Sequence, residues 1–121
     1  MTYEEQFAQS DLVVIAVFLS SRETGERDTL PGFGQVPGVI GVISDFESRL
    51  VLKGPKDILR FRLHHYTFEN TAVVRFPNGP DLLEPPMPQE GLLMFLRIEQ
   101  DGTYAPLSGQ TDPRMSIKFM R

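Results

Sequence analysis

Leu12-Val13-Val14-Ile15-Ala16-Val17-Phe18-Leu19 is a run of eight apolar residues, rich in β-branched side chains and without a polar face. Ser10-Asp11 breaks the chain before it and Ser20-Ser21 follows it. A short apolar run bounded in this way reads as a central strand covered on both faces for much of its length. It is too short to span a bilayer. The acidic residues before it are not the basic start of a secretory leader. The expected location is the cytoplasm, or outside it if a leader has been removed.

Outward from this strand, the chain alternates apolar runs with turn residues. Thr2-Tyr3-Glu4-Glu5 has the form of a capping box and predicts a helix over about Tyr3 to Gln9, with Tyr3 and Phe7 sharing the face that docks. Gly25 to Gly38 holds four Gly and two Pro and reads as a long loop. Val39 to Lys53 alternates with period two: Val42, Ser44, Phe46, Ser48, Leu50 and Leu52 fall on one parity, and Asp45, Glu47, Arg49 and Lys53 on the other. After a turn at Lys53 to Asp57, Ile58 to Phe68 alternates again. Leu59, Phe61 and Leu63 point inward, and Arg60, Arg62, His64 and Tyr66 outward. Ala72 to Phe76 is a short strand. Pro77 to Gly91, with five Pro, is a second long loop. Leu92 to Glu99 begins as a second buried strand, Asp101-Gly102 turns the chain into Tyr104 to Leu107, and Ser116 to Met120 closes it.

With 121 residues, 40% hydrophobic and 23% charged, the chain fits one globular domain, 1–121, with a core of Phe, Leu, Val and Ile. The pattern predicts an all-β fold: a small OB-like antiparallel β-barrel of five to seven strands, with a short N-terminal helix and two long loops. The net charge of −4 weighs against nucleic acid as partner. The absence of cysteine excludes disulfides, thiolate metal sites and Cys nucleophiles.

Four stretches carry a resemblance. Phe7-x-x-Ser10-Asp11-Leu12-Val13-Val14-Ile15-Ala16, Leu52-Lys53-Gly54-Pro55 with Asp57-Ile58, Gly91-Leu92-Leu93-Met94-Phe95-Leu96, and Asp101-Gly102-Thr103-Tyr104 resemble, in order and rough spacing, successive segments of the tissue inhibitors of metalloproteinases. The same pattern recurs in bacterial proteins of unknown function, where an ending like Tyr104-Ala105-Pro106-Leu107-Ser108-Gly109-Gln110 is found. The resemblance implies an OB fold. It also implies inhibition through an N-terminal cysteine that chelates the protease zinc, and a chain without cysteine departs from that chemistry. Fold alone does not carry function.

Among candidate sites, His64-His65 are adjacent on a strand and so point to opposite faces, which disfavours one shared metal ion. They read as a surface His64 and a partly buried His65. The outward stripe Arg60, Arg62, His64, Tyr66 suits an anionic partner, including single-stranded nucleic acid on an OB face. The plainer reading is a wet strand face paired to Asp45, Glu47 or Glu99. Leu82, Leu83 and Met87 in the second loop are either a docking patch or a lid over the core. No Gly-x-Ser-x-Gly elbow is present, and no phosphate-loop Lys follows Gly32-Phe33-Gly34. The expectation is a non-enzymatic interaction domain with no catalytic residues, metal or cofactor. Its partner, expected to be another protein ahead of nucleic acid, is met through a long loop or a strand face. A protease inhibitor working without the cysteine, and a single-strand binder using Arg60 to Tyr66, are the alternatives.

Overall fold

The computed structural model describes residues 2–69, 82–84 and 86–120. Helix α1 (Tyr3–Gln9) is followed by strands β1 (Leu12–Leu30), β2 (Gly34–Lys53), β3 (Arg60–Phe68), β4 (Gly91–Ile98), β5 (Tyr104–Pro106) and β6 (Ile117–Phe119), with a 3-10 turn at Pro113–Met115. The predicted strand at Ala72 to Phe76 lies outside the described residues, as does part of the Pro77 to Gly91 loop.

The sheet runs β1-β2-β3-β5-β4-β6, and β1 pairs with β4 as well, so five strands form a closed hydrogen-bonded ring with β6 on its outside edge. All pairings are antiparallel except β3 with β5. The run at Leu12 to Leu19 is flanked on both sides, by β2 and by β4, which is why it has no polar face. Its even residues, Leu12, Val14, Ala16 and Phe18, enter the interior with Phe46, Phe61, Leu63, Leu92, Met94, Leu96 and Tyr104.

The capping box forms as read: the Thr2 hydroxyl accepts from the Glu5 amide, and the Glu5 carboxylate accepts from the Thr2 amide. The helix docks differently from expectation, because its buried residue is Gln6. Tyr3 stacks on Phe95 from outside, at 5.8 Å between rings and 11° between planes, and stays 59% exposed. Phe7 lies under the Lys53 ammonium, 5.5 Å from its ring centre.

Three other expectations are corrected. The stretch Gly25 to Gly38 is not a loop: β1 and β2 continue as a two-stranded ribbon to Leu30↔Gly34, around a short turn. Repeated register shifts, between Glu23 and Arg27 and between Arg27 and Thr29, take up the extra residues. Gly25, at φ +97°, supplies the backbone conformation that one of them needs. The second correction concerns β2. Ile15 pairs with Leu50 and Ala16 with Ser48, leaving Arg49 as an extra residue that inverts the alternation. Val51 therefore packs against the core, while Leu50 and Leu52 are 53% and 41% exposed. Thirdly, Leu59 does not point inward. It precedes β3 and is 77% exposed, and Ile58 packs against the core instead.

The ribbon folds back over the outer face of β2 and β3. There Leu30, Val39, Tyr66 and Leu82 form a second, smaller buried cluster. Arg27 grips Glu69 with two hydrogen bonds of 2.7 and 2.8 Å, and Asp28 accepts from the Gly38 amide at 2.9 Å.

Gly54 begins the turn after β2 at φ +110°, and a Cβ there would stand 2.8 Å from the Asp11 carbonyl oxygen. Gly54→Ala is expected to cost about 1–3 kcal/mol, read from the urea midpoint. Gly25→Ala shares the positive φ but meets nothing within 4 Å. It should cost less than Gly54→Ala, and equal losses would refute the close approach as the cause.

Candidate functional site

The outer face of β3 carries the predicted stripe, and the structure divides it. Arg60 and Arg62 are exposed. Across the β2–β3 register they face Glu47 and Asp45 respectively. These carboxylates are engaged elsewhere: Arg22 binds Asp45 at 3.0 Å, and Arg49 binds Glu47 at 3.3 Å. Neither Arg60 nor Arg62 has an ion pair among the described residues. A shallow open cleft between Ser20, Asp45, Arg60 and Arg62 lies over this part of the sheet.

Tyr66, expected outward, is only 2% exposed. It does leave the ring on the outer side, but the folded-back ribbon covers that side, so the ring joins Leu30, Val39 and Leu82. Its hydroxyl donates to Glu26 at 2.5 Å, and burial first, then that bond, pushes its pKa up.

His64 is half-buried between two carboxylates. Its Nε2 lies 2.7 Å from Glu26 Oε1 on the ribbon, and its Nδ1 lies 3.1 Å from Glu99 Oε1 after β4. Burial alone would lower the pKa of this imidazole, but the hydrogen bonds and charge of Glu26, then of Glu99, outweigh it and hold the pKa up. Glu26 is opposed by burial but accepts from Thr24, Tyr66 and His64, and is held below the ordinary glutamate value. The single Thr103 hydroxyl proton is shared between Asp101 at 2.6 Å and Glu99 at 3.2 Å. The two glutamates lie 38 and 35 residues from His64; the sequence offered Glu99 as a partner for the arginines of the stripe rather than for His64, and gave no sign of Glu26.

Gly41 shows how the sequence prepares this arrangement. It sits in β2 opposite Tyr66. A Cβ there would overlap Glu26 Oε1 and Thr24 Oγ1. An isolated glycine inside a strand pattern is the available signal of such a close approach.

His65 points the other way and is fully buried, rather than partly as expected. The Ser44 hydroxyl and its Nε2 are 2.7 Å apart. Burial pushes the imidazole down to about 4, against smaller opposing contributions from the backbone of Leu83 and Tyr66. Ser44 is likewise 0% exposed, so this Ser–His pair has no access for a substrate.

Of the second loop's residues, Leu82 and Leu83 are buried, in the small and the main cluster respectively, while Met87 is 74% exposed. The two leucines act as a lid on the core, and the three side chains do not form one exposed patch. Among the described residues, no three His, Asp or Glu side chains converge to hold a metal ion, and no helix is long and apolar enough to cross a membrane.

No family model, curated protein or solved structure matches the chain.

Proposed function

We propose that the chain is a binding module of OB type that takes an acidic segment of a partner protein on the outer face of β3. The observation that carries this reading is the pair Arg60 and Arg62. Both are exposed on one strand face, and the carboxylates opposite them are already bound to Arg22 and Arg49. Two neighbouring cations without an ion pair among the described residues lower the cost of adding external carboxylates, since no such pair has to break. The OB assignment is supported by the five-strand ring, whose order β1-β2-β3-β5-β4-β1 suits the Greek-key connectivity of that fold. Surfaces on the second and third strands and the loops beside them are the usual binding face of such domains.

A protein partner is favoured over single-stranded nucleic acid by the position of Tyr66. Stacking of bases needs an accessible aromatic ring, and the one aromatic of the stripe is buried under the ribbon. The overall charge of −4 points the same way.

The test uses a fluorescein-labelled oligoglutamate peptide and an oligodeoxythymidine of matched length, titrated with the full chain at low salt. The peptide should bind, and Arg60→Ala with Arg62→Ala should weaken it by on the order of tenfold, about 1.4 kcal/mol. Tighter binding of the oligonucleotide would favour nucleic acid. Peptide binding unchanged by the double variant would refute this face.

A further inference from the structure

The ring is closed between β3 and β5 by one residue pair, Leu63 with Tyr104. By contrast, β2 and β3 pair continuously from Val39↔Phe68 to Glu47↔Arg60. Two side-chain bonds reinforce the weak seam. Gln110 donates to the His64 carbonyl at 2.8 Å, and the His64 ring meets Glu99 across the gap at 3.1 Å. The same ring holds the ribbon through Glu26.

We propose that His64 is a proton-operated clasp: as imidazolium it ties both the ribbon and the β4–β5 turn to β3, and on losing its proton it releases Glu99 and loosens the β3–β5 seam. The reason is the count of donors. An imidazolium has two N–H groups, one for each carboxylate, whereas a neutral imidazole has one N–H and one lone pair. A lone pair facing a carboxylate is repulsive, so one of the two contacts must open. Glu26 makes the shorter contact and is fixed by Thr24 and Tyr66, over a space that Gly41 leaves clear. Glu99 makes the longer one, from a turn, and its other donor, the Thr103 hydroxyl, lies 3.2 Å away and is shared with Asp101 at 2.6 Å. The Nε2–H tautomer therefore stays on Glu26, and Glu99 is let go.

The charged surroundings favour the closed form while the ring is protonated. The ribbon contributes Glu26 together with Glu23 and Arg22, and β3 itself contributes Arg62, Tyr66 and the buried His65. The end of β4 and its turn contribute Arg97, Glu99 and Asp101. From β2 the facing residue is the apolar Ile43. Of these groups, the hydrogen-bonded carboxylates Glu26 and then Glu99 dominate, in accord with the raised pKa of the ring. This device does not depend on whether the face takes an acidic partner.

Nitrogen-detected NMR of the histidine rings, combined with amide exchange on the full chain, tests it. His64 should titrate above 6.5, passing from the two-donor form to the Nε2–H tautomer. Over the same pH interval, the amides of Glu99 and Gly102, bonded to Thr103 and Glu99 carbonyls, should lose about tenfold protection after correction for intrinsic exchange. Glu99→Gln, whose carboxamide can donate to the bare Nδ1, should lower the titration midpoint and abolish the step in exchange. Gly41→Ala should lower the midpoint by displacing Glu26 while leaving every charge in place, and Glu26→Gln serves if that variant does not fold. A His64 midpoint at or below 6.5, a tautomer protonated at Nδ1, or exchange at the seam without a step at that midpoint would overturn the clasp.

Discussion

Phe46→Ala is expected to destabilise the fold by about 3–5 kcal/mol, the usual cost of removing a fully buried aromatic ring from a core that closes only partly around the gap. Phe46 is 0% exposed and stands at the centre of a row of rings. It stacks on Phe61 at 5.6 Å and meets Phe18 edge-on at 5.7 Å, and Phe61 in turn meets Tyr104 at 5.8 Å. The register makes this row: Phe18 pairs with Phe46 across β1 and β2, and Phe46 with Phe61 across β2 and β3. Cross-strand aromatic pairs add to the burial itself, and this row links β1, β2, β3 and β5, four of the five strands in the ring. Chemical unfolding followed by circular dichroism measures the loss. Leu50→Ala is the matched control. If the alternation of β2 ran unbroken, Leu50 would be core and its truncation would cost a comparable amount. With the extra residue at Arg49, Leu50 is 53% exposed and should cost under about 1 kcal/mol. A large loss at Leu50 or a small one at Phe46 would contradict the packing.

That comparison also marks how far the fold was legible. The strands at Leu12 to Leu19 and Leu92 to Leu96 could be recognised because neighbours on both edges and both faces leave no position for a polar residue. The ribbon could not. Its strands are held by a backbone ladder and a few side-chain bonds with most residues exposed on both faces, so it writes no apolar periodicity and its glycines read as loop. The phase change at Arg49 depends on what β1 offers opposite, which no local pattern contains. Tyr66 follows the same logic. Its parity was read correctly as outward, but the outside at that point is a second small core, because Leu30 returns from the far end of the ribbon to cover it. Arg60 and Arg62, beyond that cover, remain exposed as the alternation predicts. The site was legible to the same degree: its strand-borne residues could be placed, whereas Glu26 and Glu99 come from a ribbon read as loop and from a turn, each meeting His64 only through the tertiary fold.

Acidification from pH 6.5 to 4 is expected to remove about 3 kcal/mol of stability through His65 alone, because a folded-state value near 4 must be reached from an unfolded value near 6.5. The sign follows from which state binds the proton. The unfolded chain takes it up first, so His65 contributes fully above 6.5, where both states are neutral, and its contribution falls as pH drops toward 4. His64 acts in the opposite sense. Its raised value makes the folded state bind the proton more tightly, so its contribution is complete below 6.5 and is lost as pH rises through the folded-state value. The two neighbours thus bound a stability maximum near neutrality, one from each side. Glu26, Glu69 and Asp101, all held below their ordinary values, begin to contribute to acid unfolding only as pH falls through the unfolded values of 4.5 for the glutamates and 3.8 for the aspartate. The interval between 6.5 and 4.5 therefore isolates His65. Stability measured across it should fall by about 1.4 kcal/mol per pH unit once the unfolded chain is charged. His65→Gln, which can still bond Ser44 but cannot titrate, should be less stable at pH 7 yet show a flat profile over the same interval. An unchanged slope in that variant would mean that His65 is not the group whose burial limits the fold in acid.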